Sequence, residues 1–168
     1  MRCMRIPLGV AAIAGVVFAL APAAQAQTVT VEVTSVPTQA TVHDRAPQGK
    51  LNAGDSIAFK DLLLNRKPQF GKKTGKPVAY DAGTIVYTSK TARRITARAT
   101  FSRIGTISYG GPIVERKDGT TVVPITGGTG GFRGARGTVT IGKGETKAPN
   151  TYVIRVPHHL DLNATGVA

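Results

Sequence analysis

The sequence predicts an all-β domain, either an antiparallel sandwich or a closed barrel, and three observations carry that prediction. Apolar and polar residues alternate with a period of two over most of the chain, Gly, Pro, Asn and Asp punctuate the alternating runs, and helix signals are nearly absent. Alternation puts successive side chains on opposite faces of a strand, so one face can pack on a core while the other meets water. Many short strands joined by turn chemistry fit either architecture. With roughly eight strands in one domain, closure into a barrel removes the exposed edges and leaves a narrow interior.

Taken in order, the first strand is Thr28–Thr34, where Val29, Val31 and Val33 share one face. Asp61–Asn65 offers one helical turn at most, because Pro68 stops anything longer. Asn65–Pro77, NRKPQFGKKTGKP, is a basic loop with Pro and Gly, read as a mobile flap that serves either to solubilise or to recognise. Val78–Thr88 is the next strand. In Arg94–Ser102 the alternation turns Ile95, Ala97, Ala99 and Phe101 inward and Arg94 and Arg98 outward. Ile104–Tyr109, Thr121–Ile125, Gly137–Ile141 and Thr151–Val156 complete the set, and the small, polar tail Asn163–Ala168 holds an Asn-Ala-Thr glycosylation acceptor.

Residues 1–26 carry the marks of a signal peptide: Arg2 and Arg5, then the apolar run Leu8–Leu20, then Ala24-Gln25-Ala26 as a cleavage site. Export to the periplasm or exterior, with cleavage near Ala26, leaves residues 27–168 as a single domain. The sole cysteine, Cys3, goes with the leader, so the mature chain is expected to have no disulfide and no cysteine metal site. Removing Arg2 and Arg5 from the 22 basic residues leaves 20 against nine acidic ones, a net charge near +11. Such a charge attracts anionic envelope polymers, acidic polysaccharide or lipid headgroups. The export signal argues against nucleic acid as a partner.

Between two of the strands lies GGTGGFRGARG, residues 127–137. A phosphate-binding loop needs a helix after its glycines, and none can start here. Gly137–Lys143 has Walker spacing up to its lysine, but Gly144 stands where a Ser or Thr must be, and Thr138–Ile141 alternates as a strand. The stretch therefore reads as a tight corner that needs glycine where the backbone bends or is approached closely.

PITGGTGGFRGARGTVTI, Pro124–Ile141, closely resembles the strand-turn-strand signature of the allene oxide cyclase and dirigent superfamily. Gly54-Asp55 with Phe59 resembles that family's early Gly-Asp-x-x-x-Phe element, Asp81-Ala82-Gly83 its strand-opening turn, and Phe101–Pro112 the strand before the glycine motif. The resemblance covers roughly residues 40–156. It implies an eight-stranded antiparallel β-barrel with a hydrophobic cavity open at one end, and a trimer or dimer as the homo-oligomer. Of the polar set that serves allene oxide cyclases, Pro47 is kept, whereas Gln39, Thr41, Asp61, Ala46 and Ile85 stand at the glutamate, asparagine, serine and cysteine positions. True allene oxide cyclase activity is therefore not expected.

What the resemblance leaves is a small hydrophobic or phenolic ligand held in a cavity, with any chemistry arising from stereocontrol and no cofactor. Asp81 and Arg136 are the candidate catalytic or orienting charges, and Asp44, Phe59, Tyr80, Phe101, Tyr109, Phe132 and Tyr152 the candidate ligand-binding residues. Asp81 is the acid whose pKa a cavity would raise. Asp55 reads as a turn cap and Arg136 equally as a structural arginine for the corner. His158 and His159, adjacent on one strand, point to opposite faces, so no metal site is expected. No hydrolase motif is present. The competing function is a noncatalytic exported protein whose basic surface, with Lys72-Lys73 and Arg93-Arg94, adheres to an anionic polymer.

Overall fold

A computed structural model describes residues 26–45, 49–144 and 146–163. The leader reading, Ala46, Pro47 and the tail beyond Asn163 lie outside the described residues. Eight strands run in chain order: β1 Gln27–His43, β2 Ser56–Asn65, β3 Pro77–Tyr87, β4 Arg93–Phe101, β5 Gly105–Ile113, β6 Thr121–Gly128, β7 Arg136–Ile141 and β8 Ala148–Val156. Each pairs antiparallel with the next and β8 returns to β1, which closes the barrel and leaves no strand without two neighbours.

The alternation read in the sequence sets the faces. In β4, Ile95, Ala97, Ala99 and Phe101 are buried while Arg94 and Arg98 are exposed. β1 runs nine residues past the predicted Thr34, through Pro37, because the β1–β2 register slips between Pro37 and Gln39. A bulge is where a strand tolerates a residue with no N–H to donate.

Two expectations fail. Asp61–Asn65 is not a helical turn; it is the second half of β2, with Ile57, Phe59, Asp61 and Leu63 in register along the interior face. Leu62 and Leu64 on the outer face hide that alternation. Asp81-Ala82-Gly83 does not open a strand either: it lies in mid-β3, opposite Asp61, Lys60 and Phe59.

The basic loop after β2 is pinned along its length. Asn65 Nδ2 donates to the carbonyls of Gln69 (2.8 Å) and Lys72 (3.0 Å), and buried Gln69 donates through Nε2 to Glu32 O at 3.0 Å. Gln69 and Lys72 bridge around Phe70 and Gly71, both at positive φ (58° and 62°), which is a two-residue hairpin turn. The turn seats Phe70 against Phe101 with ring centroids 5.1 Å apart.

Phe101 is also 5.3 Å from Phe132 and 6.1 Å from Tyr152, centroid to centroid, and all three are essentially inaccessible. The glycine-rich corner creates this cluster. Gly131 N–H donates to Ile104 O (2.7 Å) and Phe132 N–H to Thr129 O (3.0 Å), closing a single 3-10 turn over Gly130–Phe132 that drives Phe132 into the core. Gly130 sits at φ 59° with its missing Cβ against Ile104 O, so only glycine fits without strain. The corner reading holds, and the corner belongs to the filled end of the barrel.

Candidate ligand cavity

Towards the other end the interior opens. Along β2, β3, β7 and β8 the inward side chains pass from buried to half-exposed: Leu63 to Ile57, Ala79 to Ile85, Val139 to Ile141, Ile154 to Ala148. The result is a cavity of about 480 Å³, walled by Ile57, Phe59, Ile85, Ile95, Ile113 and Ile141. That is a volume and an apolar lining suited to a small organic ligand. Arg93 also lines it; in register it lies six residues up β4 from Ala99, the partner of Asp81, about 20 Å nearer the opening by strand rise.

At the base sit the polar groups. Asp81 is 1 % exposed, and its Oδ2 accepts hydrogen bonds from the hydroxyls of Tyr109 and Tyr152, the latter at 3.3 Å. The two rings meet edge to face, 5.9 Å apart. Asp81 Oδ1 has no hydrogen-bond partner, and neither has Asn150 Oδ1, another buried atom of a cavity-lining residue. Asp61, directly across from Asp81 in the β2–β3 register, lines the cavity as well and accepts a hydrogen bond from Ser35 Oγ.

Burial pushes the Asp81 carboxyl up to about 6; the Tyr109 hydrogen bond opposes the rise and the negative charge of Asp61 adds to it. Burial likewise holds both phenols well above the ordinary tyrosine value, with neighbouring Tyr152 and Asp81 adding to it at Tyr109 and Asp81 at Tyr152. Both therefore stay protonated at neutral pH and donate to the carboxylate. A carboxyl poised near 6 can exchange a proton with a bound molecule or orient a donor on it.

The structure divides the sequence-predicted residues. Asp81, Tyr109 and Phe59 line the cavity together. Tyr152 lies beneath them as a hydrogen-bond donor to Asp81. Phe101 and Phe132 are packing of the filled end and do not line this cavity. Tyr80 is 63 % exposed, since it neighbours Asp81 on β3 and must face the other way. Arg136 is not part of the cavity lining: its Nη1 donates to Thr126 O (3.1 Å) and Ala135 O (2.8 Å), which is the structural of its two readings, a brace on the corner from outside. Asp44 lies past the end of β1, where its Oδ2 accepts the Gly49 N–H at 2.8 Å. Asp55 caps its own turn, taking the N–H groups of Arg45 and Asn52.

Sequence reasoning missed Ser35 and Asn150 as cavity groups and met Asp61 only as the residue standing at an asparagine position of the resembled family. Period-two counting from Phe59 reaches Asp61 and counting from Tyr152 reaches Asn150, so the signal was present. His158 is engaged with Gly131 O at 2.9 Å, and no cluster of three potential metal ligands occurs among the described residues.

No protein-family model and no curated protein matches the sequence. Solved structures do. A pyocyanin demethylase is 23% identical, with a TM-score of 0.62 over 75% of this chain and 99% of that one. The pterocarpan synthase dirigent protein GePTS1 is 19% identical, TM-score 0.61, over 81% of this chain and 87% of that. The Diels Alderase AbmU from Streptomyces koyangensis is 15% identical, TM-score 0.57, over 77% of this chain and 63% of that. On this likeness and the strand order, the chain has the dirigent-like fold: a closed, eight-stranded, antiparallel β-barrel.

Proposed function

We propose that the barrel binds a small, largely apolar molecule in its open half and steers that molecule's cyclisation or coupling by confinement. The observation that carries this reading is the Asp81–Tyr109–Tyr152 cluster at the base of an otherwise apolar cavity. Burying such groups without a partner is costly, and Asp81 Oδ1 is left free for one. Apolar walls fix how a flexible ligand folds, and one polar anchor fixes which end leads. Orientation alone lowers the entropic part of a ring-closing barrier with no covalent intermediate. The likeness to proteins described as a pterocarpan synthase dirigent protein and a Diels Alderase supports a ring-forming reaction on this scaffold. Action after export, as the leader predicts, is part of the proposal.

A thermal-shift screen of phenolics, polyenes and fatty-acid derivatives at low and high salt tests it. Salt-insensitive stabilisation by an apolar compound, followed by one dominant stereoisomer of product, supports the reading. Stabilisation by acidic polysaccharides alone, abolished by salt, supports surface adhesion instead. That second reading draws on Arg94 and Arg98, exposed cations on β4, and on there being a single ion pair, Lys67–Glu32, among the described residues.

A further inference from the structure

The cavity is acidic at its base in a protein that carries a net charge of +13. Asp61 and Asp81 are register partners on neighbouring strands, their side chains on the same inward face. Neither makes an ion pair: Lys67–Glu32, on the outer surface of the filled half, is the sole one among the described residues. The remaining titratable groups facing the two acids are the phenols of Tyr109 from β5 and Tyr152 from β8, which are donors already spent on Asp81 Oδ2. The lining contributed by β1, β6 and β7 has no charged side chain, and Arg93 of β4 stands at the opposite end of the cavity. Of the four buried acceptor atoms without a donor among the described residues, two, Asp81 Oδ1 and Asn150 Oδ1, belong to residues that line the cavity.

We infer that the cavity selects ligands with a positively charged or strongly hydrogen-donating inner end, of the class of aromatic amines and N-alkylated heteroaromatic cations, and that Asp61, Asp81 and Asn150 set this preference. An uncompensated pair of carboxyls in an apolar cavity is destabilised unless a cation or a proton joins it. A delocalised aromatic cation satisfies both parts of the cavity, since its ring packs on Phe59, Ile85 and Ile95 while its charge faces the acids. It is also weakly hydrated, so entering the cavity costs it less than it costs a compact ammonium ion. An anion of the same shape meets the free carboxyls and is rejected. This inference rests on the cavity reading above and specifies the ligand class for it.

Three compounds of one two-ring shape test it by calorimetry: N-methylquinolinium, 1-methylnaphthalene and 1-naphthoate. At pH 7.5 the quinolinium is expected to bind about tenfold or more tightly than the methylnaphthalene, and the naphthoate least, against the sign of the protein's overall charge. Lowering the pH to 5 protonates Asp81, so the quinolinium affinity should fall about tenfold while that of methylnaphthalene stays constant. Asp61→Asn and Asp81→Asn should each remove most of the cation advantage, read as the ratio of quinolinium to methylnaphthalene affinity in the same variant. The charge series and the pH series use the unaltered protein, so they stand even where a variant folds poorly. Equal affinity for the cation and the neutral compound, or strongest binding of the naphthoate, overturns the inference and leaves the apolar cavity in place. Failure of both the cation and the neutral compound to bind overturns the cavity reading itself.

Discussion

Around Phe101, four aromatic rings from the β2–β3 loop, β4, the glycine corner and β8 meet within about 6 Å of a neighbour and leave no access to solvent for three of them. Around Ile85, at the other end of the same strands, the lining is mainly Ile with Pro37, Gln39, Ala40, Phe59 and Arg93, and it encloses space. Both ends follow one alternation rule; residue volume and the loops separate them. The filled end has two segments that fold back into it, the Phe70 hairpin turn and the Phe132 corner. The tight aromatic packing is concentrated at that end, and the other is left open. Between the two ends lies Asp81, buried enough to be costly and open enough to be used.

The contrast yields graded expectations. Phe101→Ala deletes the hub of the filled end and should cost about 3–5 kcal/mol of stability in denaturant unfolding, as large-to-small aromatic changes in cores do. Gly130→Ala forces a side chain into a left-handed position against Ile104 O and should cost about 1–3 kcal/mol by the same assay.

Asp81 yields a pH signature. Its carboxyl lies at about 6 in the folded protein against 3.8 ordinarily, so between those values the folded state holds more protons than the unfolded one. Stability from this group is therefore complete below 3.8 and is lost as pH rises through about 6, by about 3 kcal/mol at most. Asp81→Asn should remove that falling limb from a stability–pH curve and leave the fold intact, while altering ligand affinity or product choice. Unchanged binding would remove Asp81 from the site. Tyr80→Ser, on the outer face beside it, should change stability by no more than about 0.5 kcal/mol and binding not at all.

How much of this the sequence carried depended on how well one face was marked. β4 was readable residue by residue, because arginines and threonines occupy every outward position. The corner was readable because few folds need so many glycines between two strands. β2 was obscured by Leu62-Leu63-Leu64, which puts apolar side chains on both faces and erases the period. The site was half legible. Asp81 and Tyr109 emerged as cavity groups, yet Tyr80 was placed with Asp81 although adjacent strand residues cannot share a face. Arg136 follows the same rule, since inward Val139 sets the parity of β7 and leaves Arg136 outside. That Tyr109 and Tyr152 converge on one oxygen required the register across β3, β4, β5 and β8, which no local pattern encodes.

The open half of the barrel is proposed as a binding cavity. Titrating the neutral, apolar fluorophore N-phenyl-1-naphthylamine into the protein tests it most directly, alongside a variant carrying Ile85→Trp and Ile113→Trp in the cavity wall. One saturable site is expected, with the same affinity at about 0.1 M and 1 M salt, where the screening length falls from about 10 Å to 3 Å, and an affinity at least about tenfold weaker in the variant. Binding that the two tryptophans leave unchanged, or no saturable binding at all, would contradict it.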